Sequence, residues 1–98
     1  MIERDGNQVR VSGALTIANA AVMCEEAKRH ISGDVVVDLA AVTEVDSAAL
    51  SVLFEWQRAA QRNSARISFR NLPESLRSLA ALYGVTNLIA GDFREAAK

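Results

Sequence analysis

The sequence predicts a single α/β domain whose helices pack against a mixed, mainly parallel sheet. Strand-like and helix-like segments alternate along the chain, an Asp5-Gly6 pair lies near the start, and Val35-Val36-Val37-Asp38-Leu39 forms a short apolar run. Strands that alternate with single helices are typical of parallel sheets, and the Asp-Gly hairpin adds an antiparallel pair. The chain has 98 residues and no proline- or glycine-rich linker, so we expect one domain over residues 1–98.

The segment before residue 14 is predicted to be a β-hairpin. Val9-Arg10-Val11-Ser12 alternates apolar and polar residues, which is typical of a half-buried strand. We expect residues 8–11 to pair with residues 1–4 across the Asp5-Gly6-Asn7 turn, because Asp-Gly is a strong hairpin signal. Gly13 is predicted to end this strand.

A first helix and a central strand are predicted next. The apolar positions with helical spacing are Ala20, Met23, Cys24, Ala27 and Ile31. Thr16 or Asn19 is expected to cap this helix, and Ser32-Gly33 to end it. The run over residues 35–39 is rich in β-branched residues and is typical of a strand buried on both faces.

The second half is predicted to add a helix, a strand, a helix and a short strand. The second helix is expected over residues 47–62, the strand over residues 65–70, and the third helix from Pro73 to Gly84. The core stripe of the third helix is predicted to be Leu76, Leu79, Ala80 and Tyr83. The last short strand is indicated by Val85, Leu88 and Ile89.

Charge and composition argue against several classes of function. Eleven basic and twelve acidic side chains leave a net charge of −1, which gives no electrostatic reason to expect nucleic acid or a membrane surface as the direct ligand. A single cysteine, Cys24, and a single histidine, His30, argue against a disulfide framework and a metal site. No phosphate-binding glycine loop or Gly-x-Ser-x-Gly elbow is present, so we expect neither a cofactor nor an enzyme. A charged start and no apolar run of about 18 residues predict a cytoplasmic location.

The junction Val45-Asp46-Ser47-Ala48-Ala49-Leu50 is the most informative stretch of the chain. Asp46 is predicted to cap the second helix, which makes Ser47 its first residue. The side of this helix that is expected to face the sheet carries Ala49, Leu50, Leu53, Trp56 and Ala60. The opposite polar stripe carries Ser47, Ser51, Glu55, Arg58 and Arg62, with Val52 and Trp56 at one edge and Phe54 at the other.

At this junction the chain resembles the STAS family of domains. The run 35–39 followed by residues 45–50 is similar to the STAS signature, and residues 13–16 and 79–85 make the chain most similar to the MlaB-type subunit of phospholipid-transport ABC systems in Gram-negative bacteria. That resemblance implies a non-catalytic subunit that binds the transporter's cytoplasmic ATPase and meets the inner membrane only through this partner. The expected interface comprises Asp46, Ser47, Ala48, Ser51, Val52 and Glu55.

Two other hypotheses remain open. Anti-sigma factor antagonists of the same family carry a phosphorylated serine at the position that matches Ser47, although they usually have Ser-Gly-Leu where this chain has Ser47-Ala48-Ala49. The chain is alternatively a structural STAS module with an unrelated partner. For Ser47 itself, the alternative to an interface role is an ordinary first-turn residue that helps to solvate the start of the helix. The isolated domain is also a candidate homodimer if Val52, Phe54 or Trp56 is exposed.

Overall fold

The computed structural model describes residues 2–89, and this range contains four strands and three helices. The strands are β1 (Ile2–Asp5), β2 (Gln8–Leu15), β3 (Val35–Val45) and β4 (Ile67–Arg70); the helices are α1 (Ala20–Lys28), α2 (Ser47–Arg62) and α3 (Glu74–Leu82). The sheet order is β1-β2-β3-β4, with β1 antiparallel to β2 and the two other pairs parallel. The predicted α/β class with a mixed, mainly parallel sheet is therefore confirmed.

The N-terminal hairpin forms as predicted, but its second strand is longer. Asp5 pairs with Gln8, and Gly6 has a φ of +64°, a left-handed conformation that glycine adopts without strain. The prediction that Gly13 ends the strand is wrong, because β2 continues to Leu15. Gly13 has a φ of +87° at a register shift against β3, so its missing Cβ lets the strand bend rather than stop.

Among residues 2–89, the core lies on one side of the sheet. Val35, Val37 and Leu39 of β3 are almost completely buried, whereas Val36 and Asp38 on the other face remain partly exposed. Right-handed crossovers between strands that are neighbours in chain order place successive helices on the same face. The prediction of a strand buried on both faces is therefore wrong, and β3 also runs on to Val45 beyond the predicted residue 39.

Helix α2 supplies the centre of the core and packs against α1. Leu53, Trp56 and Ala60 are fully buried, and the Trp56 Nε1 donates a 3.2 Å hydrogen bond to the Cys24 carbonyl of α1. Because α1 covers this flank of α2, Val52 is only 3% exposed. Trp56 lies in the core, as expected for the sheet-facing side of α2, and Val52, expected at the edge of the polar stripe, is buried as well. A dimer surface built on these two side chains therefore has no support; Phe54 is half-buried.

Helix α1 ends at Lys28, earlier than the predicted stop at Ser32-Gly33. The Arg4 guanidinium donates hydrogen bonds to the carbonyls of His30 and Ser32, which holds the chain after the helix in a turn. At the other end, Asn19 occupies the N-cap position but makes no side-chain cap bond. Its side chain accepts from the Thr16 amide and donates to the Ala14 carbonyl instead, which orders the loop before the helix.

The last quarter of the described chain departs most from prediction. Strand β4 starts at Ile67 rather than at residue 65, and Pro73 is the N-cap of α3 rather than its first residue. Tyr83 is 57% exposed, because α3 has ended at Leu82 and the core stripe ends with it. The predicted last strand is instead a 3₁₀ turn over Thr86–Leu88, closed by a hydrogen bond from the Leu88 amide to the Val85 carbonyl.

Candidate partner-binding groove

An open groove of about 550 Å³ lies between the N-terminal halves of α1 and α2. We call it the α1–α2 groove. One wall is formed by the β2–α1 loop and α1, through Ile17, Ala20, Ala21 and Cys24. The other wall is formed by the β3–α2 junction and α2, through Asp46, Ser47, Ala48, Ser51, Val52 and Glu55. Because β2 and β3 are parallel neighbours, their carboxyl ends bring both walls to the same edge of the sheet.

The structure brings all six residues of the predicted interface together in this groove. Ser47 and Ser51 are exposed, and Asp46, Ala48 and Glu55 are half-buried. Val52 is buried between the helices and contributes to the apolar floor. Helical spacing alone accounts for this grouping, since residues three to four apart share one face of a helix.

Asp46 joins the two walls of the groove. One carboxylate oxygen, Oδ1, accepts a 2.8 Å hydrogen bond from the Ala48 amide and caps α2 as predicted. The other oxygen, Oδ2, accepts a 3.0 Å hydrogen bond from the Ile17 amide in the β2–α1 loop. The carboxylate therefore fixes a loop that lies 29 residues earlier in the chain, a role that the sequence did not indicate.

Sequence reasoning missed the whole α1 wall, and Ile17 in particular. Ile17 is 79% exposed, although isoleucine is among the residues that are most often buried. It lies in a loop, where no periodicity marks an apolar residue as either core or surface. Only its contact with Asp46 in the folded chain reveals that it stands at the edge of the groove.

The charged side chains that line the groove are both acidic. They are Asp46 and Glu55. The pKa of the Cys24 thiol is raised, first by burial and then by the Glu55 and Glu25 charges, while the Lys28 charge acts to lower it. Two cations close to these acidic residues form ion pairs on the helix surfaces. Arg58 lies 3.6 Å from Glu55 and Lys28 lies 3.4 Å from Glu25, in exposed pairs of the kind that contribute little stability.

The side chains of the groove are either already hydrogen-bonded or weakly reactive. Both oxygens of Asp46 already accept amide hydrogen bonds, and a thiol with a raised pKa is a poor nucleophile at neutral pH. His30, the single histidine, follows the other end of α1. Within residues 2–89, no three side chains of the metal-binding types come together as a metal site.

A second polar surface lies on the open face of the sheet. The strand register places Glu3, Arg10, Asp38 and Arg70 side by side across the four strands. Partial burial acts to raise the pKa of Asp38, but hydrogen bonds from Asn71 and the Ala40 amide and the flanking arginine charges lower it overall. This ladder of alternating charges keeps the uncovered face of the sheet hydrophilic.

Two comparisons with known proteins agree on the fold. A family model described as "Mlab, STAS domain" matches residues 1–90. The unphosphorylated anti-sigma factor antagonist SpoIIAA superposes with a TM-score of 0.71 at 13% identity, over 99% of this chain and 90% of that one. A putative anti-sigma factor antagonist from Thermotoga maritima gives a TM-score of 0.74 at 14% identity, over 99% and 90% of the two chains.

A third solved structure is similar over slightly less of its length. An anti-sigma factor antagonist from Mycobacterium paratuberculosis gives a TM-score of 0.68 at 17% identity, over 93% of this chain and 81% of that one. The search of curated protein sequences gave no match. None of the helices in residues 2–89 combines the length and the apolar character needed to cross a bilayer. From the family model, which matches almost the whole chain, we conclude that the protein belongs to the STAS domain family.

Proposed function

We propose that this protein is a non-catalytic accessory subunit that binds the cytoplasmic ATPase of a phospholipid-transport ABC transporter. The α1–α2 groove is the contact surface, with Ser47 and Ser51 on its exposed edge. ATP hydrolysis belongs to the partner. Binding biases the ATPase towards an assembled, competent conformation, which requires that the STAS domain prefer that conformation to the others.

The observation that carries this proposal is that the six expected interface residues form one wall of an open groove, opposite a second wall from the β2–α1 loop and α1. A partner site needs exposed small residues for close approach and a partly apolar floor, and the groove offers both through Ser47, Ala48 and Val52. The MlaB-like family model supports the transporter as the setting.

Ser47 favours a second candidate function, that of an anti-sigma factor antagonist controlled by phosphorylation. Its side chain is exposed at the first position of α2, where the helix dipole stabilises a phosphate. The neighbouring Asp46 carboxylate opposes that charge, and Ala48-Ala49 departs from the usual motif of such antagonists. We therefore rank this function second.

Affinity purification of the tagged protein from its native host separates the two functions. Recovery of an ABC ATPase with its permease supports the transporter role, whereas recovery of a small kinase with phosphate on Ser47 supports the antagonist role.

Ser47→Arg should leave the unfolding midpoint unchanged and abolish co-purification of the partner. Ser78→Arg, at an exposed position on α3 outside the groove, is the matched control and should retain the partner. Equal recovery by both variants would remove the groove from the interface.

A further inference from the structure

We infer that the α1–α2 groove takes a basic, amphipathic partner segment: an apolar side chain packs beside Ile17, and a lysine or arginine lies about two helical turns away beside Glu55. This inference rests on the proposed function and adds the chemistry of the partner and the role of Ile17. Two features carry it. They are the exposed Ile17 side chain at one end of the groove and the Glu55 carboxylate at the other.

The end of the groove near the start of α2 carries the exposed apolar side chain. Ile17 stands 79% exposed at its edge, beside a floor of small or apolar side chains that includes Ala20, Ala48 and Val52. An exposed branched aliphatic side chain next to such a floor leaves apolar area that an apolar side chain of a partner would remove from water.

The end of the groove further along α2 carries the Glu55 carboxylate. Glu55 lies eight residues after Ser47 along α2, which places it about 12 Å further along the helix axis. At the start of the helix the carboxylate of Asp46 already balances the positive end of the dipole, whereas Glu55 has no such role. Its Arg58 partner is held only by an exposed pair at 3.6 Å, so a partner's cation can replace or join it.

The hydrogen bond between Asp46 and the Ile17 amide prepares the apolar end for binding. Because the loop is already held against α2, a partner does not have to order it on binding. Asp46 is thus a positioning residue, and Ile17 is the residue that it presents.

A peptide experiment on the full chain tests this chemistry without the transporter. Short amphipathic peptides of leucine with lysine and of leucine with glutamate are titrated into the isotope-labelled protein, and amide shifts are followed by NMR. The leucine–lysine peptide should shift the amides of Ile17, Ala48 and Val52 and bind at least about tenfold more tightly than the leucine–glutamate peptide. Equal affinities, or shifts confined to other surfaces, would overturn the inference.

Substitutions at both ends of the groove complete the test. Ile17→Ser should weaken peptide binding about tenfold, and Val22→Ser, at a 68% exposed apolar position of α1 that does not line the groove, should change it less than about twofold. Glu55→Gln should weaken binding about threefold at low salt and have no effect at high salt, with Glu3→Gln on the open sheet face as control.

The outcomes for the inference and for the proposed function can be told apart. Peptide binding as expected without recovery of the ATPase would retain the groove chemistry and reject the transporter role. Recovery of the ATPase with no discrimination between the peptides would do the reverse. Concentration-dependent shifts of the groove amides in the absence of peptide would identify a second copy of the chain as the occupant and overturn the inference.

Discussion

The two hydrogen bonds of Asp46 can be separated by substitution. Asp46→Ala removes both acceptors, and we expect the free energy of unfolding to fall by about 1 kcal/mol for the lost cap and about 1 kcal/mol for the lost bond to the Ile17 amide. Asp46→Ser retains a capping oxygen for the Ala48 amide but does not reach Ile17. It should therefore lose only the second contribution of about 1 kcal/mol.

Urea unfolding at neutral pH, with a constant slope m, gives these differences directly. Hydrogen exchange adds a local measurement, because the Ile17 amide should lose protection in both variants while the Ala48 amide loses it only in Asp46→Ala. Ser47→Ala, at the adjacent exposed position, is the control and should stay within about 0.5 kcal/mol of the wild type. If Asp46→Ser proves as destabilising as Asp46→Ala, or if the Ile17 amide keeps its protection, the contact across the groove does not act as described.

Three further predictions concern the core and the sheet. Trp56→Phe should cost about 2–3 kcal/mol in urea unfolding, because it leaves a small cavity and removes the donor to the Cys24 carbonyl; a loss below about 1 kcal/mol would contradict the burial. Asp38 has a lowered pKa in the folded protein, so its contribution to stability is complete above its ordinary pKa of about 3.9 and is lost as the pH falls through the folded value. Asp38→Asn should therefore make the free energy of unfolding fall less steeply as the pH is lowered. Gly13→Ala should destabilise by about 1–2 kcal/mol, because alanine is strained at a φ of +87°, and an unchanged unfolding midpoint would show that the bend relaxes.

Local signals in the sequence predicted the elements that are determined locally. The hairpin follows from Asp5-Gly6, whose turn conformation is a property of a few residues. The bounds of α2, Ser47–Arg62, match the prediction, because the Asp46 side chain caps the helix through the amide of Ala48, only two residues away. The polar stripe of that helix was likewise predictable, except where α1 covers its edge.

Features that depend on packing between distant segments were not predictable from the residue pattern of a single segment. A helical wheel for α2 cannot show that α1 covers the Val52 and Trp56 flank, because the covering residues come from another part of the chain. Residues 85–89 include apolar residues that suit a strand, but their backbone forms a local hydrogen bond and folds as a 3₁₀ turn. The role of Ile17 depends on a contact with a residue 29 positions away, and no local pattern encodes it.

The topology of the sheet explains why the α1–α2 groove forms at this place. Strands β2 and β3 are adjacent and parallel, and each leads into a helix on the same face, so two helix starts meet at one edge of the sheet. Without a tie, the loop that leads into α1 would be free to move relative to α2, and a partner would have to order it at an entropic cost. Asp46 supplies the tie while it caps α2, so one carboxylate both starts the helix and fixes the opposite wall. A substitution there should therefore weaken partner binding by more than its effect on the folded fraction accounts for, whereas a core substitution such as Trp56→Phe should act on binding only through stability.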